Sequence, residues 1–121
     1  MGLDMYAFTT PQDVPAVDFE EPANAQEIHY WRKHPNLHGW MERLYRRKGG
    51  RAEDFNVAPV LLTDADLTDL HRDVVADRLP LTTGFFFGES RPEEKQDDLD
   101  FIQKARAAIA DGKKVFYTSW W

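Results

Sequence analysis

Apolar and polar residues alternate at both ends of the chain. Residues 3–8 follow the two-residue period of a β-strand, and we predict that they form the first strand. Residues 115–120 are mostly β-branched or aromatic, which predicts a final strand. Because an unpaired terminal strand is unstable, we expect these two segments to pair in one sheet. Between them, residues 10–24 are rich in proline and acidic residues, which is typical of an extended loop.

Two helices are predicted after this loop. Asn24 and Glu27 have the spacing of a capping box, so we expect a first helix that runs to Lys33. Pro35 then interrupts it and suits the first turn of a second helix, which ends near Lys48 at a pair of glycines. Together, the two segments would form an angled helix-turn-helix unit.

The second half of the chain predicts another strand and two more helices. The apolar run 60–62 predicts the strand, and residues 63–66 are an N-cap signature for a helix that reaches about Arg78. A longer helix is predicted over about 92–111. Residues 85–88 are interpreted as a short strand or a tight buried loop whose three phenylalanines anchor the core. The helical residues predicted to face the core are Leu67, Leu70, Val74, Val75, Leu79, Leu99, Ile102, Ala105 or Ala107, and Ile109.

This order of elements predicts an α+β fold, in which a small sheet with paired terminal strands is packed by about four helices. The 121 residues are expected to form a single domain spanning 1–121. The chain has no cysteine and no apolar run of membrane-spanning length, so we expect a soluble cytoplasmic protein that does not act on membranes. Its formal net charge of −6 argues against direct binding to nucleic acid.

Residues 27–40 hold the densest mixture of aromatic, cationic and imidazole side chains in the chain. Cationic groups beside Trp and Tyr provide flat stacking faces next to positive charge, which suits an anionic or planar ligand. The ligand-binding residues predicted in this segment are Tyr30, Trp31, Arg32, Lys33 and His38. In the alternative interpretation, the tryptophan belongs to the core, Arg32 pairs with an acid in a structural ion pair, and Lys33 is simply exposed.

Further ligand-binding residues are predicted on the terminal strands. Two-residue alternation puts Asp4 and Tyr6 on one face of the first strand, and Tyr117 and Ser119 on one face of the last. We expect these faces to line one pocket, where Asp4 either forms a structural ion pair with Arg32 or orients it for a ligand. Because Ser119 lacks the Gly-x-Ser-x-Gly context of a nucleophile, no catalytic residue is assigned.

No metal site or cofactor is predicted. His34 and His38 are four residues apart, but Pro35 interrupts the helix on which they would share a face, and the glutamate of an HExxH pattern is missing. The glycines at 49 and 50 are not followed by the lysine and hydroxyl residue of a phosphate-binding loop.

Four blocks spread over nearly the whole chain carry a resemblance to a protein family. They are Met1-Gly2-Leu3-Asp4-Met5-Tyr6, Tyr30-Trp31-Arg32-Lys33 followed by Leu37-His38 and Trp40, Leu79-Pro80 with Gly84-Phe85-Phe86-Phe87-Gly88, and Tyr117-Thr118-Ser119-Trp120. In this order they resemble a family of small, uncharacterised phage and bacterial proteins. The resemblance implies a phage or prophage accessory protein that works in the host cytoplasm by binding a host component.

Three functions therefore stay open. The first expectation is an accessory interaction protein, which inhibits or modulates a host protein without catalysis. The second is a binder of a small anionic or nucleotide-like ligand near Arg32, Lys33 and His38. The third is a hydrolase or transferase acting on a phosphorylated substrate, with His38 as acid or base and Arg32 stabilising charge.

Overall fold

An antiparallel sheet forms the centre of the fold in the computed structural model, which describes residues 2–84 and 87–121. Within these residues the strands are β1 (Asp4–Thr10), β2 (Gln26–Arg32), β3 (Val60–Leu62) and β4 (Lys114–Trp120). Their order across the sheet is β2-β1-β4-β3. The terminal strands β1 and β4 are thus the central pair, which confirms the prediction that they share one sheet.

Three helices lie in the described part of the chain, and together with the sheet they confirm the α+β class. They are α1 (Pro35–Arg47), α2 (Asp64–Val75) and α3 (Glu94–Ala110). The prediction of about four helices was one too many. None of these helices is long and apolar enough to cross a membrane.

The helix predicted over 24–33 is wrong, because this segment contains strand β2. Its side chains alternate in burial, with Trp31 buried between the exposed Tyr30 and Arg32. Asn24 does not cap a helix, since its side-chain oxygen accepts a hydrogen bond from the Thr10 hydroxyl at 3.2 Å. The backbone groups of β2 form hydrogen bonds with β1 and not the intrahelical bonds of a helix, so no helix-turn-helix unit forms.

The predicted boundaries of the other helices are close to the observed ones. Pro35 is the first residue of α1, and Gly49 follows the helix with a φ of 95°. Thr63 and Asp66 form the expected capping box of α2. That helix stops at Val75 rather than near residue 78, because Asp77 takes a left-handed φ of 55° that ends the helical path.

The core lies between the helices and one face of the sheet, which we call the inner face. Trp31 of β2 packs edge-on against Phe101 of α3, with ring centroids 4.8 Å apart. Phe87 is buried in a loop and not in a strand, while Phe85 and Phe86 lie outside the described residues. Among the helical residues predicted to face the core, Leu67, Leu70, Val74, Ile102 and Ala105 are buried, Leu79, Leu99 and Ile109 are partly buried, and Val75 and Ala107 are exposed.

Gly39 in the middle of α1 generates a stability prediction, because a Cβ placed there would overlap the Thr82 side chain. Alanine is favoured over glycine in a helix by about 1 kcal/mol. Overpacking costs roughly 1–3 kcal/mol, so we expect Gly39→Ala to lower the free energy of unfolding in a urea titration. The loss should shrink in a Thr82→Ala background, which removes part of the overlap. A Gly39→Ala variant more stable than the parent would contradict the contact.

Candidate functional site

Five side chains form an exposed cluster on the outer face of the sheet, opposite the core. Strand register places Asp4 between Arg32 and Trp120, and Tyr6 beside Tyr30. Directly opposed residues of neighbouring strands point to the same face, so these groups share one surface. Tyr30 is 45% exposed and Trp120 is 66% exposed. We call this cluster, Asp4, Tyr6, Tyr30, Arg32 and Trp120, the open-face patch.

Asp4 holds the open-face patch together. A single carboxylate oxygen, Oδ1, accepts two hydrogen bonds. The Tyr30 hydroxyl donates one at 2.5 Å, and the Arg32 guanidinium donates the other at 2.7 Å. The hydrogen bond from Tyr30, with a further contribution from Arg32, lowers the pKa of Asp4 below its ordinary value. The same hydrogen bond raises the pKa of Tyr30. The carboxylate is therefore ionised at neutral pH and fixes the directions of both partners.

A loop covers one end of the outer face. Phe19, from the segment between β1 and β2, packs edge-on against Phe116 of β4, with ring centroids 5.2 Å apart. Phe8 of β1 stacks on Phe116 as well, with ring centroids 5.4 Å apart. The aromatic row continues through Tyr6, whose ring lies 5.3 Å from that of Tyr30. The uncovered end of this row is the open-face patch.

The other predicted ligand-binding residues do not join this patch. Tyr117 is paired with Ala7, and Ser119 with Met5, so both point to the inner face and away from Asp4. Both side chains are buried, as is Trp31. The single pocket expected from the terminal strands is therefore absent, because the antiparallel register puts its two halves on opposite sides of the sheet.

Lys33 lies just after β2, where the chain turns. Its φ is 59°, a left-handed conformation that is uncommon for a lysine, and its backbone N–H donates to the carbonyl of Leu3 at 2.8 Å. The aliphatic part of the Lys33 side chain passes close to Gly2 and Gly88. The glycines thus leave room for the lysine stem, which packs between two segments.

His38 lies in the core and not beside Arg32. Its Nδ1 lies 2.6 Å from the Tyr117 hydroxyl, and a neutral ring with its proton on Nε2 accepts that hydroxyl's hydrogen bond. Burial lowers the pKa of His38 from 6.5 to about 4, and a hydrogen bond with the Phe55 backbone opposes this only in part. Burial also raises the pKa of Tyr117 well above its ordinary value. His38 therefore supplies no positive charge at neutral pH, and it connects α1, β4 and the Phe55 loop.

A second hydrogen-bond network lies in the interior, and the sequence did not predict it. The His34 Nε2 atom lies 2.8 Å from a carboxylate oxygen of Asp98, and its Nδ1 lies 2.7 Å from the Ser90 hydroxyl. The other Asp98 oxygen accepts the indole N–H of Trp31 at 3.1 Å. Burial raises the pKa of Asp98, and the hydrogen bonds from His34 and Trp31 act in the opposite direction.

This serine, histidine and aspartate follow the order of a hydrolase triad, and His34, Ser90 and Asp98 border a cavity of about 250 Å³. The Ser90 oxygen, however, also accepts the backbone N–H of Asn36 at 3.0 Å. Since His34 at the N-cap position makes no side-chain cap bond, Ser90 satisfies the first turn of α1 from outside the helix. These hydrogen bonds thus connect the start of α1 to β2 and α3. Ser90 and Asp98 are far from His34 in the sequence, so no local pattern predicts the contacts.

His34 and His38 do not form a metal site together, since one bonds to Asp98 and Ser90 and the other to Tyr117. Across the described ranges, no group of three or more His, Cys, Asp or Glu side chains could hold a metal ion.

Comparison with known proteins gave no match to a family model, to a curated protein or to a solved structure. The resemblance to phage and bacterial proteins thus stays a prediction.

The low pKa of His38 predicts that acid weakens the fold. An unfolded histidine takes up a proton near pH 6.5, whereas the buried ring resists protonation down to about pH 4. The stability present above pH 6.5 is therefore lost as the pH falls toward 4, by about 3 kcal/mol in total. Urea titrations across this range should show a smaller loss for His38→Gln than for the parent. The exposed His71 provides the control His71→Gln, which should keep the parental slope; equal slopes in all three proteins would refute the role of His38.

The pairing of Arg32 with an acid is confirmed, but the pair is not buried, since the Arg32 side chain is 47% exposed. Exposed ion pairs contribute little to stability because water screens them. In thermal melts, Arg32→Ala should lower the midpoint no more than Arg51→Ala, which removes another exposed arginine. A markedly larger drop for Arg32→Ala would show that the patch is part of the structural framework.

Proposed function

We propose that this protein acts by binding a partner protein through the open-face patch. The observation that carries the proposal is the exposure of two large aromatic side chains, Tyr30 and Trp120, beside an arginine held by Asp4. Tyrosine, tryptophan and arginine are the residue types that contribute most often to the binding energy of protein interfaces.

The geometry of the patch also favours binding over a purely structural role. Asp4 fixes Tyr30 and Arg32 in place before any partner arrives, so little side-chain entropy is lost on association. Tyr6 supports the Tyr30 ring from the neighbouring strand. A partner that offers an apolar depression for the aromatic rings would bury the exposed part of Trp120. The patch is small, so the interface would extend from it onto the surrounding loops to reach the area of a stable complex.

Together with the sequence resemblance, this surface supports the accessory class of phage and prophage proteins. In this proposal the partner is a host protein in the cytoplasm, and binding inhibits or modulates it without a reaction at the patch. The acidic net charge is compatible with a protein partner and disfavours a nucleic acid on the same face.

Two substitutions and a matched control test the proposal. Purified protein is used to capture host proteins, and the captured partner is then purified and titrated by calorimetry. Truncating an interface anchor costs about 2 kcal/mol or more, so Tyr30→Ala and Trp120→Ala should each weaken binding by about thirtyfold or more. Leu81→Ala removes an apolar side chain that is 89% exposed outside the patch and should bind like the parent.

Two results would contradict the proposal. One is a captured partner that binds both patch variants with parental affinity. The other is concentration-dependent self-association in sedimentation experiments that Trp120→Ala abolishes, since the patch would then be covered by a second copy of this chain.

A further inference from the structure

A groove of about 760 Å³ lies between the exposed side of α1 and the segment that follows α2. Four of the chain's 15 basic residues line it, and all four are arginines: Arg43, Arg46, Arg47 and Arg78. Two acidic residues, Glu42 and Asp73, lie in the same groove. The groove is therefore locally cationic in a chain whose formal net charge is −6.

Both acids of the groove already have partners. Glu42 lies 3.4 Å from the guanidinium of Arg46, which also donates to the carbonyls of Ala52 and Glu53. Asp73 accepts the indole N–H of Trp40 at 2.9 Å, and its other oxygen lies 3.4 Å from the Arg72 side chain. Glu42 thus faces Arg46, and Asp73 faces Trp40 and Arg72, while no ion pair joins either acid to Arg43, Arg47 or Arg78 among the described residues.

Three arginines of the groove have no hydrogen-bond or ion-pair partner among the described side chains. Within the described residues, Arg43, Arg47 and Arg78 make no side-chain hydrogen bond or ion pair. Basic residues in the last turn of a helix favour its dipole, which accounts for Arg46 and Arg47. It does not account for Arg43, which lies one turn earlier, so the concentration of arginine in the groove needs another explanation.

The walls of the groove are held in place. Gly39 of α1 contacts Thr82 closely, and the Thr82 backbone N–H donates to the side chain of Asn36 at 3.0 Å. The Arg78 backbone N–H donates to the carbonyl of Asp73 at 2.7 Å. Arg43 and Arg47 are four residues apart on α1, so they project about 6 Å apart along one side of the groove. Arg78 reaches it from the opposite wall.

We infer that this groove binds a compact polyphosphate, a small molecule that carries two or three linked phosphate groups. The guanidinium is a planar fork that matches phosphate oxygens in pairs, and arginine is used here without any lysine. Separate arginines on two walls require a ligand with several negative charges. The groove volume falls within the range of small-molecule sites, about 300–1,000 Å³.

A compact ligand is favoured over an extended one by the charge of the whole protein. A nucleic acid strand would leave the groove and run over a surface that is acidic overall, which repels it. A molecule with two or three phosphates stays within reach of the arginines. This site is distinct from the open-face patch, which lies on the sheet, so it adds a ligand to the proposed protein-binding function.

Calorimetric titration with inorganic triphosphate at low ionic strength tests the inference. The parent should bind, with an affinity that falls as salt is added. Charged hydrogen bonds contribute enough that Arg43→Gln combined with Arg78→Gln should weaken binding by about tenfold or more. The control combines Arg51→Gln with Arg91→Gln, which removes the same charge outside the groove and should leave the affinity essentially unchanged. Melting curves without ligand verify that all variants fold.

Other probes identify the source of the phosphates. Equal affinities for triphosphate and ATP would place recognition in the phosphates alone, and tighter binding of ATP would add contacts to the nucleoside; both results support the inference. Tighter binding of citrate or of a single-stranded oligonucleotide than of triphosphate would overturn it. So would the absence of triphosphate binding, or an equal loss of affinity in the groove and control variants.

Discussion

Strand β1 is hydrogen-bonded on both sides, to β2 and to β4, and the register of these two ladders decides which side chains meet. Because neighbouring residues of a strand point to opposite faces, a shift of one residue would exchange the two faces. It would bring Met5 and Ala7 into water and Tyr6 into the core. The buried side chains of the inner face thus determine the register, and the register in turn assembles the open-face patch.

The interior tolerates polar groups because each of them has a partner. Among the described residues, no buried side-chain nitrogen or oxygen lacks a hydrogen bond. Asp98 is the most demanding case, since an unpaired buried carboxylate would be strongly destabilising. Trp31 and His34 each form a hydrogen bond with one of its oxygens, and His34 is the N-cap residue of α1. The hydrogen bonds that stabilise the buried carboxylate therefore also hold the end of β2 and the start of α1 against α3.

The aromatic, cationic and imidazole residues of segment 27–40 are divided between the exposed face of the sheet and the buried core. Tyr30 and Arg32 lie on the surface, whereas Trp31 and His38 are part of the interior. For Tyr30, Trp31 and Arg32 the division follows from β2 being a strand, in which neighbouring side chains point to opposite faces, whereas His38 is buried because it lies on the inward side of α1. The aromatic and cationic side chains of the segment are therefore divided between the exposed open-face patch and the packed core.

Local signals in the sequence determined the elements whose stability is local. The capping box of α2, Pro35 at the start of α1 and the β-prone segments at both ends each act over a few residues, so they could be interpreted correctly. The capping pattern at Asn24 was equally local, but hydrogen bonding of the segment to β1 outweighed it. Only the tertiary structure brought Ser90 to His34, and Arg78 to Arg43, because such contacts join residues far apart in the chain. Their formation depends on packing and strand register, which no short stretch of sequence contains.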